Sequence, residues 1–455
     1  MNDKIYYQNE TKKAINNFGY ELLPVEFITA YGEVKKAAIM AIQENDNRFS
    51  SSEYSSIIQA VDEIINGQLN DQFVVPLRQG GAGTSINMNF NEVIALRSGE
   101  ILKEKYNIDK TIDSLEDINR YQSTNDTFPT AVTITVYREL ILIEEKIVKL
   151  QEELISKEIE YDSIIITGRT EMQDALPIKL GQVFAGWAGM IERDRWRLNK
   201  LKDRIRNIAL GGTAIGTCFF APQKYIFLAE KFLKEITKLP LCRSQNLTDE
   251  IANADKYSEL ANGLKIVAEN LFKISGDLLL YSSSFLKEII HPNLQYGSTI
   301  MAAKTNPVIL EFVRGLSIDI QHECNKVSSF SQNGQLQLNA YLPFILKSLI
   351  NSFNLLNKTV DSLIEHFFCL MDINKYGIEK NLVNSYALIN TLAPVFGYHK
   401  VKKLYKIIEN SKISNIEQIK NIIKKEFDID DISINKLFDI SRLTSFMKNY
   451  PVPKE

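Results

Sequence analysis

The chain has 455 residues, 45% hydrophobic and 24% charged, and its 53 Lys and Arg against 56 Asp and Glu leave a formal net charge of −3. That balance is ordinary for a globular protein and argues against a disordered chain, a collagen-like fibre and a general binder of polyanions. The four cysteines, Cys218, Cys242, Cys324 and Cys369, form no CxxC pair, so a disulfide scaffold or a zinc ribbon is not expected. The opening MNDKIYYQNE lacks the apolar stretch of a secretory signal, and no uncharged apolar run approaches the roughly 18 residues that a membrane helix needs. A cytoplasmic protein without a membrane partner is the expectation.

Residues 1–121 read as a region of shorter helices. Ser50 and Glu53 have capping-box spacing ahead of Ile57, Ile58, Val61, Ile64 and Ile65, and Gly67 closes that run. Between Pro129 and Gly168 there is neither Gly nor Pro, and Leu140, Ile143, Ile147, Leu150 and Leu154 recur at steps of three and four. Such a stripe predicts a long helix that must be buried against others. A second long helix is predicted from near Ile178 to Leu210, stopped by Gly211 and Gly212, with Ala185, Gly186, Ala188 and Gly189 allowing a neighbour to approach closely. A third begins at Asn306 as N-cap with Pro307 at the first helical position, and a fourth spans about Pro343 to Gly377. Short helices rich in Lys and Ile follow. Their lysines alternate with Ile and Leu at helical spacing, and Glu409, Glu417 and Glu426 sit among them, which indicates a solvated face and not a nucleic-acid patch. The fold class is therefore all-α, with an N-terminal helical domain over 1–121, a central long-helix bundle over 122–377 and a small helical domain over 378–455.

Between the helices lie irregular stretches dense in Gly, Ser, Thr and Asn: 79–85, followed by Asn87, Asn89 and Asn91; 122–126; 168–174; and 297–307. Any one of them alone reads as a turn with capping side chains. Neither GxGxxG nor GxxxxGK[ST] is present in Gly80–Ser85 or Gly211–Thr217, so a phosphate cradle is not indicated. Together the stretches supply many neutral donors and one lysine, Lys304, a set suited to a small carboxylate. His291, His322, His366 and His399 read as structural or surface residues, and no ligand cluster for a metal stands out.

Gly297, Ser298, Met301, Lys304 and Asn306 match the Gly-Ser-x-x-Met-x-x-Lys-x-Asn pattern, and this stretch resembles the signature of the fumarase/aspartase superfamily. QGGAGTSINMNFNEV (79–93), QSTND (122–126), GRTEMQDA (168–175) and GGTAIGT (211–217) resemble further blocks of that family, in its order. GQLQLN (334–339) is similar to the aspartase branch, whereas the fumarase branch carries GNFELN and a His after GRT. The resemblance implies an all-α, three-domain fold assembled as a homotetramer with each site shared between three subunits. It implies reversible elimination of ammonia from L-aspartate to give fumarate, without metal or organic cofactor. Ser298 would be the base, acting as an alkoxide in a loop over about Tyr281–Lys304 that closes on the substrate. Thr84, Ser123, Thr124, Thr170, Lys304 and Asn306 would hold carboxylate, supported by Ser85, Asn125 and Thr299.

Some positions depart from the family pattern. Glu171 stands where a neutral or cationic side chain is usual, Thr299 replaces a second Ser, and Ala302 replaces Pro. Beside a dicarboxylate, Glu171 would be protonated, would pair with the substrate ammonium, or would turn to a basic neighbour such as Arg169. The alternatives left open are a related substrate, such as a substituted aspartate or malate, and a non-catalytic assembly protein on the same fold.

Overall fold

A computed structural model describes residues 4–411 and 413–445, so the end of the expected C-terminal domain lies outside the described residues. Helices run from Asn9–Phe18 to Ile440–Thr444, and the strands form three two-stranded pairs. The all-α expectation is met. The chain divides into two compact units, one of Met1–Glu145, Trp196–Ala268 and Ile318–Leu356, the other of Lys146–Arg195, Glu269–Ser317 and Asn357–Glu455.

Local chemistry explains the helix starts. Ser50 Oγ accepts from Glu53 N while Glu53 Oε2 accepts from Ser50 N, the reciprocal capping box that opens the Ser51–Ile65 helix. The Gly- and Pro-free interval becomes the Thr124–Glu160 helix, and Leu140, Ile143, Ile147, Leu150 and Leu154 are all fully buried along it. In the first unit Phe27, Tyr31, Phe73, Phe90 and Phe128 form a ring cluster, with Phe73 and Phe90 stacked at 4.1 Å between centroids. In the second, the Tyr398–Glu409 and Ile416–Phe427 helices bury Val401, Leu404, Ile419 and Ile423. Lys400, Lys402, Lys403 and Lys406 are left exposed as a solvated face.

Several expectations are corrected. Ile178 belongs to the strand Gln173–Lys179, which pairs antiparallel with Ile165–Thr170, and the helix that follows is Leu180–Ile205. Its start is pinned by Gly181, where a Cβ would lie 2.4 Å from the Glu158 carbonyl oxygen. Close approach therefore occurs there and not at Gly186, which has no non-local atom within 4 Å of a Cβ position. The Asp255–Ser282 helix was masked in the sequence by its internal Gly263 and Gly276; a Cβ at these would come within 2.4 Å of Leu201 and of Arg314, respectively. Asn306 does not cap a helix. The next one is Val308–Ser331, Pro307 O accepts from Leu310 N and Glu311 N, and the Asn306 amide turns back to Gly297 O at 2.9 Å. The Leu342–Leu363 helix ends in a π turn over Ile364–Phe368. Gly377 lies inside the next helix, Lys375–Asn384, because the Lys287 carbonyl would be 2.3 Å from a Cβ there.

Candidate active site

The first unit gathers the QGGAGTS, QSTND, GGTAIGT and GQLQLN blocks. Gly83, at φ 92°, turns the chain into the Thr84–Tyr106 helix, and a Cβ on it would sit 2.5 Å from the Phe128 ring. Thr84 is thereby exposed at the helix start and Ser85 half-buried beside it. Ser123, Thr124 and Asn125 lie at the start of the Thr124–Glu160 helix, where the helix dipole favours an anion. Ser123 Oγ accepts from Asn125 N at 3.2 Å, and Asn87 Nδ2 donates to Thr124 Oγ1 at 3.1 Å, so both hydroxyl protons are free to donate outward. The Asn125 amide donates to Ala214 O at 2.8 Å, which leaves its second N–H. Ala82, Asn125, Leu338 and Asn339 line one cavity of about 20 Å³, room for a single water, so residues of three sequence-distant blocks converge.

Asp126 was not singled out from the sequence, yet it organises this region. Its carboxylate accepts from Ser123 N at 3.0 Å, Gly211 N at 3.1 Å and Thr213 N at 3.0 Å, joining QSTND to GGTAIGT. Burial raises its pKa to about 6, opposed by these three backbone donors and by Lys35. Its place as the last residue of QSTND was the available sign.

The second unit carries GRTEMQDA and the 297–307 stretch. Glu171 and Met172 form the two-residue tip of the Ile165–Lys179 hairpin with φ of 52° and 63°, the positive angles that a type I′ turn requires. Neither is glycine, so the tip stores about 1–2 kcal/mol per residue of backbone strain. Thr170 and Glu171 are both exposed. Arg169 points the other way: Nη2 and Nη1 reach the Glu288 carboxylate at 2.8 and 3.1 Å, Nε reaches Asp174 at 3.1 Å, and Nη1 also donates to Thr167 O. Asn381 Nδ2 adds a third bond to Glu288 at 2.8 Å. Tyr281, beside this group, is pushed up to about 12 by burial and by the Glu288 and Asp277 charges.

Part of the segment expected to close is anchored, since Ile289–Ile290 pairs with Asp372–Ile373 and Glu288 N donates to Tyr281 O. The irregular stretch proper is 291–307. Within it Ser298 Oγ accepts from Ile300 N at 3.2 Å and Met301 N at 3.0 Å. Gly297 is required, for a Cβ would lie 2.3 Å from Lys304 O. Thr299 and Lys304 are exposed, while Ser298 and Asn306 are half-buried. Among the described residues no group of three His, Cys, Asp or Glu could hold a metal ion, and no helix is long and apolar enough to cross a membrane.

Residues 2–321 match a family model described as lyase. The chain is 36% identical to an aspartate ammonia-lyase of a Bacillus species over 405 residues, covering 88% of this chain and 86% of the relative. It is 34% identical to an aspartate ammonia-lyase of Helicobacter pylori over 445 residues, covering 94% and 95%. The crystal structure of a fumarate lyase:delta crystallin from Brucella melitensis superposes with a TM-score of 0.88 at 32% identity, covering 97% of this chain and 96% of that one. The chain belongs to this lyase family, within the fumarase/aspartase superfamily, and is a carbon–nitrogen lyase.

Proposed function

We propose that this enzyme eliminates ammonia reversibly from L-aspartate to give fumarate, with Ser298 as general base. The observation that carries the reading is the pair of backbone N–H groups aimed at Ser298 Oγ, donors that stabilise an alkoxide where a free serine hydroxyl would be far too weak a base. The alkoxide takes a β-proton of aspartate. The electron pair passes into the adjacent carboxylate as an aci-carboxylate and then returns to form the C=C bond as the C–N bond breaks and ammonia leaves. Thr84, Ser123, Thr124, Thr170, Lys304 and Asn306 hold the carboxylates, with Ser85, Asn125 and Thr299 in support. Asn306 spends one amide N–H on Gly297 O and keeps the other for substrate. This chemistry calls on no metal or organic cofactor, and the reaction is placed in the cytoplasm. The site is assembled in a homotetramer from three subunits.

Purified enzyme mixed with L-aspartate is expected to release fumarate, followed by its ultraviolet absorbance, whereas L-malate gives none. Silence on aspartate from a tetrameric sample would remove the reading.

Glu171 bears on the choice of substrate. Arg169 commits four of its five N–H groups to Glu288, Asp174 and Thr167 O, and its ion pairs are with Glu288 and Asp174 and not with Glu171. Pairing with the substrate ammonium is the arrangement that turns a carboxylate at this place to advantage, and it favours an amino acid over malate. An unscreened pair at 4 Å and an effective dielectric of 20 is worth about 4 kcal/mol, and exposure reduces this to roughly 1 kcal/mol. Glu171→Gln is therefore expected to raise KM for aspartate about fivefold while lowering KM for fumarate, measured in the two directions of the reaction. Equal shifts in both would remove the ammonium contact.

A further inference from the structure

Lys35 is fully buried in the Val25–Asp46 helix, and its amino group meets carbonyl oxygens of amides where a buried lysine would ordinarily find a carboxylate. Nζ donates to Gln122 Oε1 at 3.0 Å and to Asn119 Oδ1 at 3.3 Å. Asn119 Oδ1 accepts in addition from Asn87 Nδ2 at 3.0 Å and from Asn91 Nδ2 at 3.1 Å. The other hydrogen of the Asn87 amide goes to Thr124 Oγ1, and its oxygen accepts from Tyr31 OH at 3.1 Å. Tyr31 OH lies 3.0 Å from Thr127 Oγ1.

This web has a direction. An ammonium has only hydrogens to give, so the groups facing it must present oxygen. Oxygen on Asn119 toward Lys35 requires nitrogen on Asn87 toward Asn119, and the same nitrogen then faces Thr124. A Thr124 hydroxyl that accepts from Asn87 has its proton left for an acceptor outside the web. Were the Asn119 and Asn87 amides turned over, an amide oxygen would face Thr124 and draw that proton inward. Resting on the carboxylate role given to Thr124 above, we propose that Lys35 is a positioning residue that sets the polarity of the Asn119–Asn87–Thr124 relay, so that the Thr124 hydroxyl donates to a substrate carboxylate. Burial lowers the Lys35 pKa to about 7 against the pull of Asp126, and it is the protonated form, which has no lone pair to accept with, that imposes this polarity.

The test is a double-mutant cycle in the assembled enzyme, with KM and kcat for L-aspartate as readouts and scattering to verify the tetramer. Lys35→Met is expected to raise KM about tenfold while kcat changes less than about threefold, as loss of one oriented charge-assisted donor predicts. In a Thr124→Val background the same substitution is expected to change KM less than about twofold, because the group through which it acts is gone. A KM within about twofold of the parent for Lys35→Met, or an undiminished effect in the Thr124→Val background, overturns the proposal. Should Lys35→Met fail to assemble, Asn87→Asp takes its place in the cycle with the same outcomes, since a carboxylate there turns the Thr124 proton inward. Succinate affinity by calorimetry is measured on every variant. It reports on the relay even if the wild type does not turn over aspartate, which separates failure of this inference from failure of the proposed reaction.

Discussion

Ser298→Ala is expected to lower kcat for ammonia release by about 10³-fold or more, roughly 4 kcal/mol of transition-state stabilisation, with the protein still folded and still binding dicarboxylate. The substitution removes one oxygen. The turn around it is held by other bonds, namely Asn306 Nδ2 to Gly297 O and Lys304 N to Met301 O, and these survive. Ile300 and Met301 lose the acceptor for their N–H groups, but Ile300 is 89% and Met301 49% exposed, so water replaces it and stability changes by less than about 1 kcal/mol. Fumarate absorbance gives the rate and succinate calorimetry gives the binding. A rate within about tenfold of the parent would remove Ser298 as the base.

Glu288→Ala is expected to carry the largest stability cost, about 3–5 kcal/mol, because it leaves Arg169, with only the half-exposed Asp174 as counter-charge, beside a vacated, fully buried site. The Glu288 side chain is 1% exposed and takes three hydrogen bonds, two from Arg169 and one from Asn381. Pairing it with Arg169→Met is expected to recover part of the loss, since no uncompensated cation remains. Denaturant unfolding of the single and double variants measures both quantities. A single-variant loss below about 1 kcal/mol would mean that the pair is solvent-screened and does not anchor the hairpin. Activity should fall with stability, for the pair ties the residue before Thr170 to the segment that leads into the serine loop.

How much of this was legible before folding differs from element to element. The 140–154 stripe and the Ser50–Glu53 box depend on neighbours three or four residues away, and both appear as read. The hairpin over 165–179 was missed because its tip, Glu171–Met172, adopts positive φ without the Gly or Asn that would announce a type I′ turn. The Asp255–Ser282 helix was missed for the opposite reason. Its glycines look like breaks, but they are there to admit Leu201 and Arg314.

The site divides along the same line. Residue order alone pointed to the family and nominated the candidate donors, since those blocks are contiguous and their chemistry is a matter of side-chain type. The partners of those donors could not be read that way. Arg169 and Glu288 are 119 residues apart, Lys35 and Gln122 are 87, and neither pair shares a periodic pattern. Only the folded chain decides that Arg169 pairs with Glu288 and Asp174 and not with Glu171, and that a buried lysine stands behind Thr124. The physical reason is desolvation. A charged group taken out of water must find its partner wherever the fold places one, and distance along the chain has no bearing on that choice.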